Sequence, residues 1–375
     1  MLKFIRFWFK AVLLVTGAIS LFRCSSGYKQ KNGKTFYNGE ELADKNLTVL
    51  NDVFAKDSAS AYYRGGGIDG ADVATFRALD KNYAKDKGRV YYCEEHREGQ
   101  NYFTTKKSTV KIVSEADAAT FDTLSSGYGK DKSLAFFEGN PFSVKDIVSF
   151  NVISLYFSRD KMLAYFHGKQ VASSDGNSFE LINNHYAKDN NHIYYYGYPS
   201  DAKNDIYLVP CNRNTFKELE YPFSSDDKSV FYENLLISGS TPDGFAALGA
   251  GFSKDRQSVF FETKKINGAD ASSFKLMVQD EMNTQEFYFA GDRSSIYFRE
   301  KKITTADIPS FKILGLGYAV DRNHVYYRHS IVKTADPETF EVYTHGYGEA
   351  DAKDSKHEYM EGKKTTTLNN NQDDQ

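Results

Sequence analysis

The chain has 375 residues, a formal net charge of −3 and 41% hydrophobic residues. This composition supplies enough apolar side chains for a folded core and excludes wholesale disorder. The near-neutral charge argues against a nucleic-acid partner, which would require a basic stripe. We therefore expect a folded protein that does not bind nucleic acid.

The first predicted element is an export segment at residues 1–24. Three basic residues within the first ten precede an apolar run at residues 11–22, and Cys24 follows this run. Such an order is typical of an export signal. Leu21-Phe22-Arg23-Cys24 resembles a bacterial lipoprotein box, although Arg23 stands where the box has a small residue.

Three outcomes for this N-terminus remain open. Cys24 is lipidated, or the chain is cleaved near Ala18-Ile19-Ser20, or the segment stays as an uncleaved anchor, although the apolar run is short for a full membrane span. All three place the remainder outside the cytoplasm. We predict a location in the bacterial cell envelope, in the periplasm or on the outer surface, with membrane contact through the N-terminus.

Residues 25–363 are predicted to form a repeat domain, because one frame, YAVDRNHVYY at Tyr318–Tyr327, recurs along the chain. The aspartate of this frame recurs as Asp57, Asp86, Asp131, Asp160, Asp189, Asp226, Asp255, Asp292, Asp321 and Asp354, of which the last belongs to a degenerate copy. Lys31 takes the place of the aspartate in the first copy. Successive positions differ by 26, 29, 45, 29, 29, 37, 29, 37, 29 and 33 residues, so the repeat is 29 residues long and the longer steps contain insertions. Such a period indicates modules that bury their apolar faces against their neighbours.

A second aspartate, which we call the second landmark, follows the first by fifteen residues in six repeats and precedes a phenylalanine by four. These aspartates are Asp72, Asp146, Asp175, Asp270, Asp307 and Asp336. An aspartate in this position can accept backbone N–H groups from the residues that follow it, as in an Asx-turn. The second landmark therefore predicts a short helical turn, and the first aspartate predicts a turn cap.

The segments between these turns read as β-strands. Val90-Tyr91-Tyr92 and its copies combine β-branched and aromatic residues, which suit a pleated surface. Two or three short strands and a helical turn fit into 29 residues, whereas a four-stranded propeller blade takes about 40–45. We predict an all-β fold, an elongated array of about eleven 29-residue antiparallel β-hairpin repeats with short helical turns. A β-propeller is the alternative.

The paired aromatic residues are predicted to lie on opposite faces. Val90 and Tyr92 share one face of a strand and Tyr91 the other, because alternate residues point the same way. One row should line the core. The second row is either packed under neighbouring turns, as we expect, or exposed as a platform for sugar rings or a peptide.

Three segments carry the repeat signature most closely: AKDKGRVYY (84–92), AKDNNHIYY (187–195) and AVDRNHVYY (319–327). Through these residues the chain resembles the DKNYY family, a bacterial repeat family named for its Asp-Lys-Asn-x-x-Tyr-Tyr motif. The resemblance covers the repeat region and implies no activity, cofactor or ligand. It therefore assigns no functional residue.

Candidate sites lie in the insertions, at 93–108, 196–208 and 278–287, because insertions in repeat proteins form loops that often bind partners. The candidate ligand-binding residues are the aromatic side chains outside the repeat frame: Tyr102, Phe103, Tyr196, Tyr198 and Tyr207. The alternative is a lengthened hairpin without a partner. Residues 364–375 are predicted to be a disordered tail.

No catalytic, cofactor or metal site is predicted. The aspartates are not clustered as calcium loops require, and the eight histidines have no metal spacing. Gly65-Gly66-Gly67 is predicted to be a hairpin turn, and Cys93 and Cys211 are predicted to be unpaired.

The sequence therefore favours a non-catalytic binding or scaffolding module for a protein or glycan. The alternative is a glycan-active enzyme that uses the unrepeated carboxylates Glu94, Glu95 and Glu98 in the first insertion.

Overall fold

The computed structural model describes residues 27–42, 47–97, 106–197, 205–277, 289–343 and 350–367. Cys24 and the rest of the export segment, the candidates Tyr102, Phe103 and Tyr198, and residues 368–375 lie outside the described residues. Within the described part, no helix is both long enough and apolar enough to cross a membrane. The chain divides into an N-terminal half, residues 1–180 and 199–205, and a C-terminal half, residues 181–198 and 206–375.

The described residues form eleven small antiparallel sheets, three-stranded in sheet 1 and four-stranded in the others, and the strands of each sheet lie side by side in chain order. Sheet by sheet, the strands are Tyr28–Lys31, Lys34–Tyr37, Glu40–Glu41; Thr48–Val49, Phe54–Lys56, Ala61–Tyr63, Gly66–Ile68; Arg77–Ala78, Tyr83–Lys85, Val90–His96, Lys107–Ile112; Asp122–Thr123, Tyr128–Lys130, Ala135–Phe137, Asn140–Phe142; Asn151–Val152, Phe157–Arg159, Ala164–Phe166, Lys169–Gln170; Glu180–Leu181, Tyr186–Lys188, Ile193–Tyr195, Tyr207–Val209; Lys217–Glu218, Phe223–Ser225, Val230–Tyr232, Leu235–Leu236; Ala246–Gly249, Phe252–Lys254, Val259–Phe261, Lys264–Lys265; Lys275–Leu276, Phe289–Asp292, Ser295–Phe298, Lys301–Ile303; Lys312–Gly315, Tyr318–Val320, Val325–Tyr327, Ser330–Ile331; and Glu341–Val342, Ala352–Lys353, His357–Met360, Lys363–Thr367.

The repeated frame forms the hairpin between the second and third strands. In sheet 3, Tyr83 pairs with Tyr92 and Lys85 with Val90, so the turn begins at Asp86. One carboxylate oxygen of Asp86 accepts the N–H groups of Gly88 and Arg89, each at 2.8 Å. The aspartate therefore supplies the acceptors that a tight turn lacks, which is why it recurs.

The third and fourth strands join through two-residue turns with left-handed backbone. Glu138 and Gly139 have φ angles of 50° and 68°, which matches a turn compatible with the strand twist. Gly65 occupies the same position in sheet 2, as predicted, whereas Gly66 and Gly67 begin the fourth strand. The Gly139 N–H donates to the Tyr83 hydroxyl of the preceding sheet at 2.8 Å, so the turn also fixes one sheet to the next.

Each inner sheet of a half buries both of its faces. Tyr91 packs with Phe54 and Phe76 of the preceding repeat, whereas Tyr92 packs with Phe121 and Phe136 of the following one. Both tyrosines are buried, at 1% and 5% exposure. The prediction that the two rings face opposite ways is confirmed, and the second row is packed rather than exposed.

The all-β class with antiparallel repeats is confirmed, and the described residues of neither half form a closed barrel or propeller. The strand count was wrong, because repeats 2–11 contain four strands. Four fit into 29 residues because the outer strands are short, as in Arg77–Ala78. The predicted helical turn is a 3-10 helix at Ile308–Ser310 and a hydrogen-bonded turn at the other second landmarks, such as Asp72.

Candidate binding surface

The recurring aspartates are occupied by structural hydrogen bonds. One oxygen of Asp321 accepts the N–H groups of Asn323 and His324, and the other accepts the Tyr326 hydroxyl and the Asp307 N–H, all at 2.7–2.8 Å. Burial alone would raise the pKa of Asp321, but these four bonds outweigh it and hold the pKa below its ordinary value of 3.8. A carboxylate with every acceptor used is a turn cap and not a free ligand.

The lysine before the aspartate is structural as well. Lys56 Nζ donates to the carbonyls of Val73 and Phe76 at 2.9 and 3.0 Å, while Asp86 accepts the Asp72 N–H at 2.9 Å. The turn at the second landmark is thus held at one end by the preceding sheet and at the other by the following sheet. These contacts account for the aspartate of the signature and for the lysine before it without any ligand.

Three second landmarks among the described residues were not recognised from the sequence. Thr241 has the expected spacing but no carboxylate, and its N–H donates to Asp255 at 3.1 Å; the other two follow insertions. Asp117 and Asn212 donate their N–H groups to Asp131 and Asp226 at 2.9 and 2.7 Å, as their counterparts do elsewhere. An insertion of sixteen or eight residues separates each from the preceding frame, so the fixed spacing failed there. The Thr-Phe pair that ends both turns was the available signal.

All three insertions extend the same end of their own sheets. Those at 93–108 and 196–208 fall at the connection of the third and fourth strands of sheets 3 and 6 and include residues of those strands, and that at 278–287 lies between the first and second strands of sheet 9. In a four-stranded antiparallel sheet these two connections lie at one end, opposite the aspartate turn. These three insertions therefore all occur at the end of the sheet opposite the repeated aspartate turn.

The two described aromatic candidates lie in different environments. Tyr196 is buried, its hydroxyl donates to the Asn183 carbonyl, and burial raises its pKa to about 12. Tyr207 lies on the fourth strand of sheet 6, opposite Tyr195, with 43% of its side chain exposed. The structure brings only Tyr207 to the surface.

Tyr207 belongs to an apolar surface on sheets 6 and 7. Seven of the thirteen strongly exposed large apolar side chains among the described residues lie between Ile182 and Leu236. Four of them are on fourth strands and form what we call the apolar edge: Tyr207, Leu208, Leu235 and Leu236. In five of the other eight four-stranded sheets, the fourth strand carries lysine, which discourages pairing at an edge.

A cavity of about 310 Å³ lies on the same two sheets. It is lined by Ile182, Lys188, Ile193, Arg213, Phe216 and Glu218. Phe216 is only half-buried, whereas its counterparts Phe121 and Phe274 are 2% and 3% exposed. The junction of sheets 6 and 7 is thus less tightly closed than those at Phe121 and Phe274, and apolar, cationic and anionic side chains line its cavity.

The unrepeated carboxylates of the first insertion are engaged in polar contacts. Glu95 lies 3.6 Å from Arg64 and 3.0 Å from Lys106, and Glu94 accepts the Thr109 hydroxyl at 3.5 Å. Burial and the nearby Glu94 raise the pKa of Glu138. Glu98 lies outside the described residues.

Two further observations concern reactive groups. Cys93 and Cys211 are free thiols, as predicted. Among the described residues, no group of three or more His, Cys, Asp and Glu side chains could hold a metal ion.

Comparison with known proteins places the chain in one family. The family model described as the DKNYY family matches residues 7–95, 96–235, 157–289, 252–307 and 289–372. No curated protein and no solved structure matches the chain. Because the five overlapping matches span residues 7–372, the chain belongs to the DKNYY family.

Proposed function

We propose that this chain is a non-catalytic binding or scaffolding module that recognises a protein or glycan partner. The apolar edge carries this proposal. Tyr207, Leu208, Leu235 and Leu236 are 41–52% exposed on consecutive sheets of one half. Exposed clusters of large apolar side chains mark candidate interaction sites.

The chemistry of the surface fits recognition better than catalysis. The recurring aspartates and tyrosines are engaged in hydrogen bonds that build the sheets. The insertions fall at connections between strands, and in repeat proteins such positions often carry partner-binding loops. A tyrosine and three leucines offer rigid and flexible apolar contacts that suit either a protein surface or the faces of sugar rings.

We also propose that the chain is exported and contacts the membrane through its N-terminus, because a basic segment, an apolar run and Cys24 open the sequence. Cell fractionation should recover the protein with the envelope. Fatty-acid labelling that disappears in Cys24→Ser would establish lipidation, and intact mass would separate cleavage from an uncleaved anchor. Recovery in the cytoplasmic fraction would refute export.

The binding proposal is tested with glycan and peptide arrays probed by the full-length protein. The ligand found should bind the variant Tyr207→Ser/Leu208→Ser/Leu235→Ser/Leu236→Ser at least about tenfold more weakly, because apolar anchors carry most of the energy of an interface. The matched control is Val148→Ser/Leu155→Ser/Met162→Ser, which removes side chains that are 87%, 51% and 55% exposed in the N-terminal half.

Equal binding by wild type and the edge variant would show that the apolar edge is not the site. Release of reducing ends from a glycan by the wild type, lost in Glu94→Gln, would overturn the non-catalytic assignment.

A further inference from the structure

We propose that the fourth-strand edge of sheets 8–11 binds a carboxylated polysaccharide. This inference rests on the proposed function, in that it treats the chain as a binding module, and it names a second surface and a ligand class. We call this surface the basic edge. Its residues are Lys264, Lys265, Arg299, Lys301, Lys302, Arg328, Lys333, Lys363 and Lys364.

Positive charge is concentrated on this edge. The segments that run from the third-to-fourth-strand turns through the fourth strands, residues 262–268, 299–305, 328–334 and 361–367, contain nine Lys or Arg residues and three Glu residues. The fourth strands of sheets 8, 9 and 11 each begin with two lysines and contain no acidic residue. For a chain with a net charge of −3, this is a strong local excess.

Few of the fourth-strand lysine charges are neutralised by other described residues. Lys264 pairs with Glu300 at 3.1 Å, and it is the only one of the six fourth-strand lysines that forms an ion pair with another described residue. The aspartates that follow the edge pair elsewhere: Asp270 with Arg293 and Asp307 with Arg322, each at 2.8 Å. The lysines are therefore available to an external anion.

Contacts at or beside this edge join sheet 8 to sheet 9 and sheet 10 to sheet 11. The Lys264–Glu300 pair links the edges of sheets 8 and 9, and the Arg299 guanidinium lies 5.8 Å from the centre of the Phe261 ring. The Gly362 N–H in the turn of sheet 11 donates to Tyr318 of sheet 10 at 2.6 Å. Cations are thus brought together within each of these two pairs of sheets, as contact with a linear polymer requires.

Two arginines favour carboxylate over a diffuse negative charge. Arg299 lies over Phe261 and Phe298, and Arg328 lies 5.1 Å from the centre of the Tyr327 ring. A guanidinium held against a ring keeps its planar fork oriented, and that fork matches the two oxygens of a carboxylate. Exposed hydroxyls such as those of Thr304 and Thr365 can bond to sugar hydroxyls.

Other polyanions fit the edge less well. Single-stranded nucleic acid needs exposed rings on which bases stack, yet Phe261 and Phe298 are only 4% and 7% exposed. An anionic membrane would gain from apolar anchors beside the cations, but Ile266, Ile303 and Val332 are buried. A flexible acidic glycan needs neither feature.

A purely protective role for the lysines makes a different prediction. Lysine on an edge strand keeps it from pairing with another chain. If that were its only role, removing the lysines would cause self-association and would leave polysaccharide binding unchanged.

The test measures binding of the full-length protein to immobilised polygalacturonate at about 0.05 M and about 0.5 M salt, since screening weakens exposed charge contacts. Binding should occur at low salt and weaken at high salt. The variant Lys265→Gln/Lys301→Gln/Lys302→Gln/Lys364→Gln should bind roughly tenfold more weakly, because several modest charge contacts act together. The matched control Lys217→Gln/Lys228→Gln/Lys275→Gln/Lys312→Gln removes the same charge from exposed lysines of the same half and should bind like the wild type.

Comparison ligands separate the possible sources of negative charge. Neutral dextran should not bind, and polyphosphate, single-stranded DNA and phosphatidylglycerol vesicles should bind more weakly than polygalacturonate. Stronger binding of any of these three overturns the proposal, as does equal weakening by the control variant. Self-association of the edge variant with unchanged binding, checked by light scattering, also overturns it.

Failure here is distinguishable from failure of the proposed function. The variant Tyr207→Ser/Leu208→Ser should still bind polygalacturonate. An array ligand that depends on the apolar edge, in a protein that does not bind polygalacturonate, would refute the basic edge alone.

Discussion

Replacing Asp321 with asparagine tests the claim that the repeated aspartate acts through its hydrogen bonds. The side chain is 3% exposed, and two donors point at each of its oxygens. An amide keeps one acceptor and presents NH₂ in place of the other. Either orientation of the amide places that NH₂ against a backbone N–H, from Asp307 or from Asn323 and His324.

The expected cost follows from those contacts. The Tyr326 hydroxyl can turn to accept from the new NH₂, but a backbone N–H cannot. One buried donor left unpaired, together with the loss of the charge that strengthened the remaining bonds, should cost about 3 kcal/mol. Repeat proteins open locally, so this cost should appear as roughly hundredfold faster hydrogen exchange in sheet 10, with no change in sheet 7.

Asp336→Asn is the matched control. Its carboxylate accepts the Glu338 N–H and the Thr339 hydroxyl at 3.1 and 2.9 Å, in a half-exposed turn where water can replace the lost contact. Its effect should stay within about 1 kcal/mol. If both variants exchanged at the same rate, the hydrogen-bond account of the repeated aspartate would be refuted.

Three further predictions follow from buried groups. Burial is outweighed by hydrogen bonds, which hold the pKa values of five turn aspartates below 3.8: Asp86, Asp160, Asp292, Asp321 and Asp354. Their stabilising contribution is therefore complete above that pH and is lost as the pH falls through the lower folded value. Circular dichroism should show unfolding only below about pH 4, and a transition near pH 6 would contradict this. Tyr83→Phe should cost about 2 kcal/mol, measured by hydrogen exchange of its sheet, because it removes the hydroxyl bonds to Gly139 and Gly127 at 2.8 and 3.0 Å. Tyr128→Phe should cost nothing, because the Tyr128 hydroxyl lies near Ser158 without hydrogen-bond geometry. Equal effects of the two substitutions would be inconsistent with these roles. Iodoacetamide should modify Cys211 before the fully buried Cys93. Burial raises the pKa of Cys211 to about 11 and also raises the pKa of Cys93. Mass spectrometry that shows the reverse order of modification would contradict the assigned burial.

Much of the fold was predictable because the repeated residues perform the same task each time. The spacing of the aspartates gave the module length, and strand alternation correctly placed Tyr91 and Tyr92 on opposite faces. The first strands were missed because segments such as Arg77–Ala78 are two residues long and largely exposed. These first strands form only by pairing with the second strand, and no local sequence pattern predicts that pairing.

The candidate surface was less predictable. Leu235 and Leu236 follow the third strand within the repeat frame, where two leucines resemble core residues; only their place on a fourth strand leaves them exposed. Tyr196 shows the opposite error of inference, because it lies in an insertion yet directly follows a buried strand, is itself buried, and donates its N–H to the His185 carbonyl. The sequence marks where the frame is interrupted, but exposure depends on which strand a residue joins.

A second-landmark turn such as that at Asp72 is held by a lysine of the preceding sheet and an aspartate of the following sheet, which together we call the clamp. This arrangement has a consequence for how such a chain can evolve. Both partners of the clamp recur with the frame, as Lys56 and Asp86 do around Asp72. Duplicating or deleting 29 residues, wherever the cut falls, regenerates a complete clamp at the new junction. Insertions outside the turn also preserve it, since Lys85 and Asp131 hold the turn at Asp117 across sixteen extra residues. Genes of this kind should gain and lose whole modules easily, while new binding properties arise by substitutions on the outer strands.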